Sequence, residues 1–260
     1  MTSVLILAGT RDEACPLCRD AKVESKALVP LGGVRMVDHM LRALRDSPSL
    51  TGDIWISGLC PEELVEGAPM DLVGFLHRVR AAPAAIGPAK ATYAALDAGA
   101  TFPLLVTTCD HPLLNPSMID AFLSGADAVG CDAAVGLARQ DVIQAAYPET
   151  QRTYLKLAGE GYSGCNLFLL RTDNARKGAE FWHNAEVDRK RPLKLVRRFG
   201  LGALLRMLTG RLPLLDAFEH GSRRIGASVA PIIFPIPEAA IDVDKPSDLV
   251  LVRQIMKLAS

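Results

Sequence analysis

The sequence predicts an α/β fold in which a mostly parallel sheet is flanked by helices. Short apolar runs of the β type alternate with segments whose apolar residues recur at helical spacing, and this alternation is typical of parallel strands joined by right-handed crossovers. With 260 residues and a hydrophobic fraction of 49%, the chain can bury the core of one large domain. We expect one domain over 1–260, with a first half at 1–125, a second half at 126–260 and a helical insertion at about 173–222.

The charge balance excludes one class of partner. Lys and Arg together number 29, as do Asp and Glu, so the formal net charge is zero. A general nucleic-acid-binding protein needs a basic excess to displace counterions, so we expect no nucleic-acid partner. No apolar run approaches the roughly 18–20 residues that cross a bilayer, and the N-terminus lacks the pattern of a signal peptide. We therefore expect a cytoplasmic protein.

The first quarter of the chain opens with a strand and a loop. Residues 3–8 form a continuous apolar run that ends at Gly9, as expected of a strand buried on both faces of a parallel sheet. Residues 9–26 are polar, carry charges of both signs and predict a loop. Helical spacing of apolar residues then predicts a helix over 34–44, and a second strand follows at 53–58.

The next elements lead to the centre of the sheet. Residues 59–88 show weak periodicity and give no clear prediction, whereas 89–99 predict a helix. Residues 103–108 are the clearest central strand. Asn115 followed by Pro116 is typical of an N-cap with proline at the first helical position.

The pattern changes beyond about residue 140, where strands are predicted at three places and helices at three others. The strands are expected at 166–170, 232–234 and 240–243, and the helices at 173–187, at 193–220 and from Pro246 onward.

The loop after the first strand has the composition of a phosphate-binding segment. Gly9 directly follows the strand, and a glycine there lets the backbone approach a ligand closely. Arg11 and Lys26 carry positive charges that can neutralise phosphate oxygens. Neither a P-loop nor a dinucleotide-binding glycine fingerprint is present. The alternative interpretation is a surface loop with solvated charges.

Two acidic segments are candidates for a metal site. Asp110 follows the central strand, at the edge where open α/β sheets bind ligands, and a carboxylate there suits Mg²⁺ shared with substrate phosphates. Asp242 and Asp244 alternate along an extended segment and so lie on one side of it. The alternatives are turn or helix capping by Asp110 and Asp244, and helix capping explains Asp248 better. His111 is interpreted as a loop residue.

Cys15 and Cys18 form a lone C-x-x-C pair among six cysteines. A zinc or redox role needs a second pair or an electropositive helix start. We interpret the pair as reduced thiols in a loop, with metal binding left open.

The order of these segments resembles that of a known family. The motifs are Leu-Ala-Gly-x-Arg at 7–11, Lys-Ala-Leu-x-Pro-Leu-Gly-Gly at 26–33, Cys-Asp-x-Pro at 109–112 and Asp-Val-Asp-Lys-Pro-Ser-Asp-Leu at 242–249. They are similar to those of the nucleotidyltransferases with a Rossmann-like, glycosyltransferase-A-type fold, and most of all to the MobA-like group. The resemblance extends over 3–125 and 238–259, roughly half of the chain.

The resemblance implies transfer of a nucleoside monophosphate from an NTP to a phosphorylated small-molecule acceptor, with release of pyrophosphate. It implies Mg²⁺, with Mn²⁺ as an alternative ion. Phosphate-binding roles fall to Arg11 and Lys26, and metal binding to Asp110 and Asp244, with Asp242 as a substitute for the latter. Nucleotide or substrate binding falls to Leu7, Ala8, Gly9, Thr10, Gly87, Lys90 and Asn166.

The sequence also departs from the family pattern. Thr10 stands where a second glycine is usual, and the interval from Arg11 to Lys26 is long, so Arg19 or Lys22 is an alternative phosphate ligand. Ala91 stands where relatives often carry a base-contacting serine, which leaves the NTP open.

Other functions remain as alternatives. The same fold and carboxylates serve glycosyltransferases that use nucleotide-sugar donors, and the altered glycine loop suits a catalytically silent NTP-binding regulatory protein. Residues 193–215 are basic and amphipathic, which is typical of contact with an anionic membrane or a lipid-linked acceptor. The basic run at 189–194 suits a phosphorylated acceptor or a solvated helix face.

Overall fold

The computed structural model describes residues 1–9, 15–181 and 200–258. Its strands are β1 (Ser3–Leu7), β2 (Pro30–Leu31), β3 (Val34–Arg35), β4 (Ile54–Ser57), β5 (Val79–Ala81), β6 (Leu104–Thr108), β7 (Ala133–Arg139), β8 (Leu155–Leu157), β9 (Glu160–Leu170) and β10 (Val229–Phe234). Its helices are α1 (Pro16–Ala21), α2 (Met36–Asp46), α3 (Pro61–Val65), α4 (Met70–Leu76), α5 (Pro88–Asp97), α6 (Pro116–Val129), α7 (Gln140–Ala146), α8 (Leu201–Leu208), α9 (Leu214–Ile225) and α10 (Pro246–Ile255). Residues 176–181 are also helical.

Eight strands of the described chain form one sheet in the order β10-β7-β9-β6-β1-β4-β5, with β8 paired to β9. The pairs β6–β1, β1–β4, β4–β5 and β10–β7 are parallel. Strand β9 runs antiparallel to β6, β7 and β8. The predicted class, a mostly parallel sheet flanked by helices, is confirmed.

The helices cover both faces of the sheet because β1 is apolar on both. Val4 and Ile6 pack in one core with Met40 of α2 and Phe122 of α6. Leu5 faces the opposite side and packs in a second core that includes residues of α5. Val4, Leu5 and Ile6 are all at most 1% exposed. A strand that is buried on both faces has a continuous apolar sequence, which is why the apolar run at 3–8 located this strand correctly.

Parallel pairing brings the carboxyl ends of three strands to one edge. Leu7, Ser57 and Thr108 lie side by side in the register of β1, β4 and β6. Antiparallel β9 reaches the same edge from the other direction, since Phe168 pairs with Val106 and Asn166 lies two residues before it. We call this region the carboxyl edge.

Three expectations about local structure are wrong. The stretch 9–26 contains α1, because Pro16 occupies the first turn and Cys15 caps the helix, its Sγ accepting a hydrogen bond from the Cys18 amide at 3.4 Å. Both thiols are free and buried. The start of the helix expected from Asp173 is a 3-10 turn with Thr172, not Asp173, at the N-cap position, followed by helix to residue 181. Its remainder to 187 lies outside the described residues.

The third difference is that residues 240–243 form no strand. Residues 237–240 form a 3-10 turn, Ile241 after it is extended, and residues 241–243 belong to no strand. The apolar residues that predicted a strand here are buried all the same, because Ile241 and Val243 pack in a third core. From residue 200 onward, the single helix expected at 193–220 is two helices, α8 and α9, separated by the non-helical residues 209–213. The boundary between the halves at 125 and 126 stays a prediction.

Gly58→Ala tests the packing of two loops at the carboxyl edge. A Cβ on Gly58 would lie 2.4 Å from backbone atoms of Gly9, and the φ angle of +90° is one that side chains rarely adopt. We expect a loss of about 2 kcal/mol or more in the free energy of unfolding by urea. Gly74→Ala in α4 is the control, since its Cβ would enter open space. Equal stability of the two variants would contradict this packing.

Candidate active site

The backbone at the end of β1 is fixed, while the space beside it is open. The Ala8 amide donates to the Ser57 carbonyl at 2.8 Å, and the Cys109 amide donates to the Leu7 carbonyl at 3.0 Å. Ala8 is buried. Apart from the chain neighbours of Gly9, no atom of the described residues lies within 4 Å of the position that a Cβ on Gly9 would take. Within the part of the chain that the structure describes, the backbone at Gly9 is therefore fixed on one side and uncovered on the other.

Lys26 is brought into contact with two acidic residues at the carboxyl edge. Its Nζ donates to Asp110 Oδ2 at 2.5 Å and to Asp244 Oδ1 at 2.7 Å. The Lys26 side chain is 16% exposed, that of Asp110 12% and that of Asp244 67%. Burial alone lowers the pKa of Lys26, but the two carboxylates outweigh it and the pKa is raised. Lys26 is thus held as an ammonium ion.

Asp110 has one carboxylate oxygen to spare. While Oδ2 accepts from Lys26, Oδ1 is buried and has no hydrogen-bond partner among the described residues. Buried polar atoms are nearly always paired, so a buried carboxylate oxygen without a partner is a candidate ligand for a cation.

Asp242 lies in a second ionic cluster. Its Oδ1 accepts a hydrogen bond from Arg152 Nη2, and its Oδ2 accepts one from Asn166 Nδ2 at 2.7 Å. Arg152 also donates to the Asp242 carbonyl at 3.3 Å. Burial raises the pKa of Asp242. Arg152 opposes this rise, and the nearby negative charges of Asp110 and Asp244 add to it. Both oxygens of Asp242 therefore already have donors, and its metal-binding role stays a prediction.

The segment that carries Asp244 is anchored at both ends. The Val243 amide donates to the Asp110 carbonyl at 2.8 Å. Asp248 Oδ2 accepts from the amides of Asp244 and Lys245 at 3.0 Å each, which agrees with the capping role predicted for Asp248. Backbone contacts, more than side-chain reach, thus bring Asp244 to Asp110.

His111 is a buried anchor for the same segment. It is 1% exposed, and its Nε2 lies 3.3 Å from the Glu238 carbonyl, to which it donates. Burial lowers the pKa of His111 to about 4, so the ring is neutral at pH 7. The Tyr147 hydroxyl donates to the Glu238 carboxylate. The interpretation of His111 as a loop residue missed this tie between the end of β6 and the 237–240 turn.

The remaining predicted residues divide into three groups. Asn166 has a φ angle of 52° and joins the Asp242 cluster. Gly87 is the N-cap of α5 with a φ angle of 91°, and Lys90 is exposed in the first turn of that helix. Since α5 connects β5 to β6, its N-terminus lies on the side of the carboxyl edge. Thr10 and Arg11 lie outside the described residues.

Sequence reasoning missed the contacts of two residues. Arg152 is 90 positions from Asp242 and lies in a segment with no motif, so no spacing could have paired them. Gly58 was seen only as the end of a strand, although a glycine there is what allows the Gly9 backbone to approach. Its position directly after a predicted buried strand was the available signal.

The basic segments outside the carboxyl edge are only partly described. The run at 189–194 lies outside the described residues, as does the start of the 193–215 segment. From residue 200 onward, Leu205 and Leu208 are exposed beside Arg206 and Arg211. None of the described helices has the length and hydropathy of a membrane span. Membrane-surface contact stays a prediction.

The fold and the site together define a class of protein. Open α/β sheets bind their ligands at the carboxyl ends of the strands, which is where Gly9, Lys26 and the carboxylates of Asp110 and Asp244 lie. The family model of the MobA-like NTP transferase domain matches residues 4–211, and the chain belongs to this family. The protein is therefore a nucleotidyltransferase, and the resemblance seen in the sequence is confirmed.

Solved structures agree with this assignment. A hypothetical transferase from Thermus thermophilus is 30% identical, with a TM-score of 0.76 and coverage of 95% of this chain and 98% of that one. Two others share the fold at low identity. A CMP:2-keto-3-deoxy-manno-octonic acid synthetase complexed with CTP is 12% identical (TM-score 0.57, 99% of both chains). The 2-C-methyl-D-erythritol 4-phosphate cytidylyltransferase of Francisella tularensis is 10% identical (TM-score 0.59, 97% of this chain and 98% of that one). No curated protein sequence matches the chain.

Arg152→Met tests whether the Asp242 cluster is a buried ion pair. The side chains of Arg152 and Asp242 are only 10% and 15% exposed, so removal of one partner leaves an uncompensated buried charge. We expect a loss of about 3 kcal/mol in the free energy of unfolding by urea.

Two further variants separate the ion pair from other effects. Arg152→Met combined with Asp242→Asn removes both charges and should recover much of the loss. Arg139→Met breaks a pair with Asp141 in which both side chains are exposed, and it should leave stability unchanged. A single Arg152→Met variant as stable as the wild type would contradict this description of the cluster.

Proposed function

We propose that the protein transfers a nucleoside monophosphate from an NTP to a phosphorylated small-molecule acceptor, with Mg²⁺ as cofactor and pyrophosphate as second product. One observation carries the proposal: Lys26 meets Asp110 and Asp244 at the carboxyl edge, and Ser25, next to Lys26, donates from its Oγ to the Ala8 carbonyl at 3.5 Å, one residue before Gly9. This arrangement offers a cation for phosphates and carboxylates for a metal in one place. In the sequence, Lys26 is 84 positions from Asp110 and 218 positions from Asp244.

The residues present fit a divalent ion that is shared with substrate. Asp110 and Asp244 supply two carboxylates, and Asp110 Oδ1 is buried without a partner in the described chain. No cluster of three or more His, Cys, Asp or Glu in the described residues could enclose a metal ion. Mg²⁺ suits such a site because it is commonly held by one or two carboxylates together with waters and phosphates. Mn²⁺ has the same preference for oxygen ligands.

Catalysis in this proposal is alignment and charge neutralisation. An oxygen of the acceptor phosphate attacks the α-phosphorus of the NTP, and the bond from that phosphorus to the bridging oxygen breaks as pyrophosphate leaves. The attacking oxygen is already ionised, so the chain needs neither a nucleophile nor a general base. Lys26 neutralises phosphate charge, and Arg11 is assigned the same task. The bound Mg²⁺ supplies further charge neutralisation and orients the phosphates.

The two substrates are assigned to different sides of the carboxyl edge. Leu7, Ala8 and Gly9, with Thr10, line the nucleotide, and Gly87 and Lys90 approach it from the start of α5. Asn166, held by Asp242, is assigned to the acceptor. Support for an NTP comes from the family and from the CTP complex of the structurally similar synthetase. Ala91 lacks a hydroxyl for a base contact, so the panel below determines the base.

A thermal-shift panel tests nucleotide binding and selectivity. The chain is melted with ATP, CTP, GTP, UTP and dTTP, each with and without Mg²⁺. A ligand that binds the native state raises the melting temperature by mass action, so we expect one nucleotide to give the largest shift and Mg²⁺ to increase it. No shift with any of the five would contradict the proposed function.

Asp110→Asn tests the assignment of the metal ligand. The substitution removes the negative charge while keeping the shape of the side chain, so pyrophosphate release from the preferred NTP with phospho-acceptors should fall by at least about 10²–10³-fold. Asp127→Asn, on the exposed face of α6, is the control and should retain full activity. Circular dichroism checks the fold of both variants, and full turnover by a folded Asp110→Asn variant would overturn the assignment.

The same assay separates the alternatives. A glycosyltransferase would consume a nucleotide-sugar and release no pyrophosphate from an NTP. A catalytically silent NTP-binding protein would show a higher melting temperature with an NTP, yet it would release no pyrophosphate with any acceptor.

A further inference from the structure

Lys26 occupies the position in which a cation would contact both carboxylates. Its Nζ lies at 2.5 Å from Asp110 Oδ2 and at 2.7 Å from Asp244 Oδ1. The lysine is fixed at its base, because Ser25 caps the 3-10 turn Lys26–Leu28 with a hydrogen bond from the Ala27 amide to its side chain. The Lys26 side chain is 16% exposed, so the ammonium group is inserted between the carboxylates and not merely near them.

This position conflicts with the two tasks assigned to the site. Lys26 is assigned to nucleotide phosphates, and Asp110 and Asp244 are assigned to a divalent ion, but here these three side chains use each other. A divalent ion brought to both carboxylates meets an ammonium at contact distance, where repulsion between like charges is strong. A phosphate brought to Lys26 likewise meets two carboxylates that already hold it.

We propose that Lys26 is a built-in placeholder for the divalent ion, an inference that rests on the proposed function. In the ligand-free protein Lys26 neutralises Asp110 and Asp244. When substrate binds, Lys26 moves from the carboxylates to the nucleotide phosphates, and the carboxylates pass to the divalent ion. Neither the lysine nor the carboxylates are left unpaired by this exchange.

The exchange has a thermodynamic consequence. A divalent ion alone must displace Lys26 and leave it without an anion, so its binding is weak. A nucleotide that arrives with the ion provides that anion, so each ligand strengthens the binding of the other, as linkage requires. The site is thereby protected from taking up a metal ion without its substrate.

The charges of the second cluster favour the same behaviour. Arg152 and Asn166 hold Asp242, so this third carboxylate is already neutralised by its own partners. Lys26 is the cation that bridges Asp110 and Asp244, and a metal ion that takes both carboxylates must displace it.

The decisive experiment measures metal binding with no nucleotide present. Mn²⁺ alone is titrated into the wild-type chain and the Lys26→Met variant, and free Mn²⁺ is followed by electron paramagnetic resonance. Methionine keeps the apolar stem of lysine but removes the competing charge. We expect the variant to bind Mn²⁺ about 10-fold more tightly or better. Equal or weaker binding by a folded variant would overturn the proposal.

Two matched variants exclude a general charge effect. Lys245→Met removes the same charge next to Asp244 in sequence, from an exposed side chain, and should leave Mn²⁺ affinity near that of the wild type. A gain as large as that of Lys26→Met would overturn the proposal. Lys26→Met combined with Asp110→Asn should lose the gain, since one of the two released carboxylates is gone.

A measurement on the unmodified chain covers the case in which Lys26→Met fails to fold. Acylation of lysines by an amine-reactive ester is followed by mass spectrometry, with and without Mn²⁺ at a saturating concentration. Release of Lys26 from the carboxylates should raise its labelling rate relative to Lys245. An unchanged ratio would overturn the proposal.

Failure of this inference is distinguishable from failure of the proposed function. If an NTP raises the melting temperature of the wild-type chain but the Lys26→Met variant gains no Mn²⁺ affinity, the protein binds nucleotides and Lys26 is not a placeholder. If no NTP raises the melting temperature, the proposed function itself fails.

Discussion

One ammonium group links the distant parts of this protein. Lys26 Nζ contacts Asp110, 84 positions away, and Asp244, 218 positions away. These three side chains meet because each backbone is held in place: the Lys26 turn by the Ser25 cap, Asp110 by the end of β6, and the Asp244 segment by bonds from the Val243 amide to the Asp110 carbonyl and from the Asp244 amide to Asp248. The cost of burying the lysine is offset by two carboxylates, which also keep it charged.

The parallel sheet makes this meeting possible. Parallel strands place all their carboxyl ends at one edge, so the loops after β1, β4 and β6 converge whatever their separation along the chain. Antiparallel β9 adds the other half of the molecule to the same edge and delivers Asn166 there. The result is a site with two ionic clusters, one around Lys26 and one around Arg152. The first is assigned to phosphates and metal, and the second is assigned to an acceptor contact through Asn166.

Local patterns predicted the elements that depend on local physics. The continuous apolar run of β1, the cap at Asn115, where the side chain accepts from the Met118 amide at 3.0 Å, and the capping by Asp248 are all present. The pattern failed for residues 240–243, because burial of Ile241 and Val243 against α1, α2 and α10 produces the same apolar signal as burial in a sheet. It also failed for α1, a helix too short to show a period.

By itself the sequence determined the fold class, the family and the residue types of the site, because strand burial, helix capping and the motifs each depend on residues that are close together in the sequence. Only the tertiary structure decided which charges pair. Asp242 and Asp244 are two positions apart, and the sequence placed them in one carboxylate cluster, yet Asp242 is bound by Arg152 and Asn166, and Asp244 by Lys26. The physical reason is that alternation sets only the side of the chain on which a side chain lies, whereas the partner depends on elements that fold against it from 76 to 218 positions away.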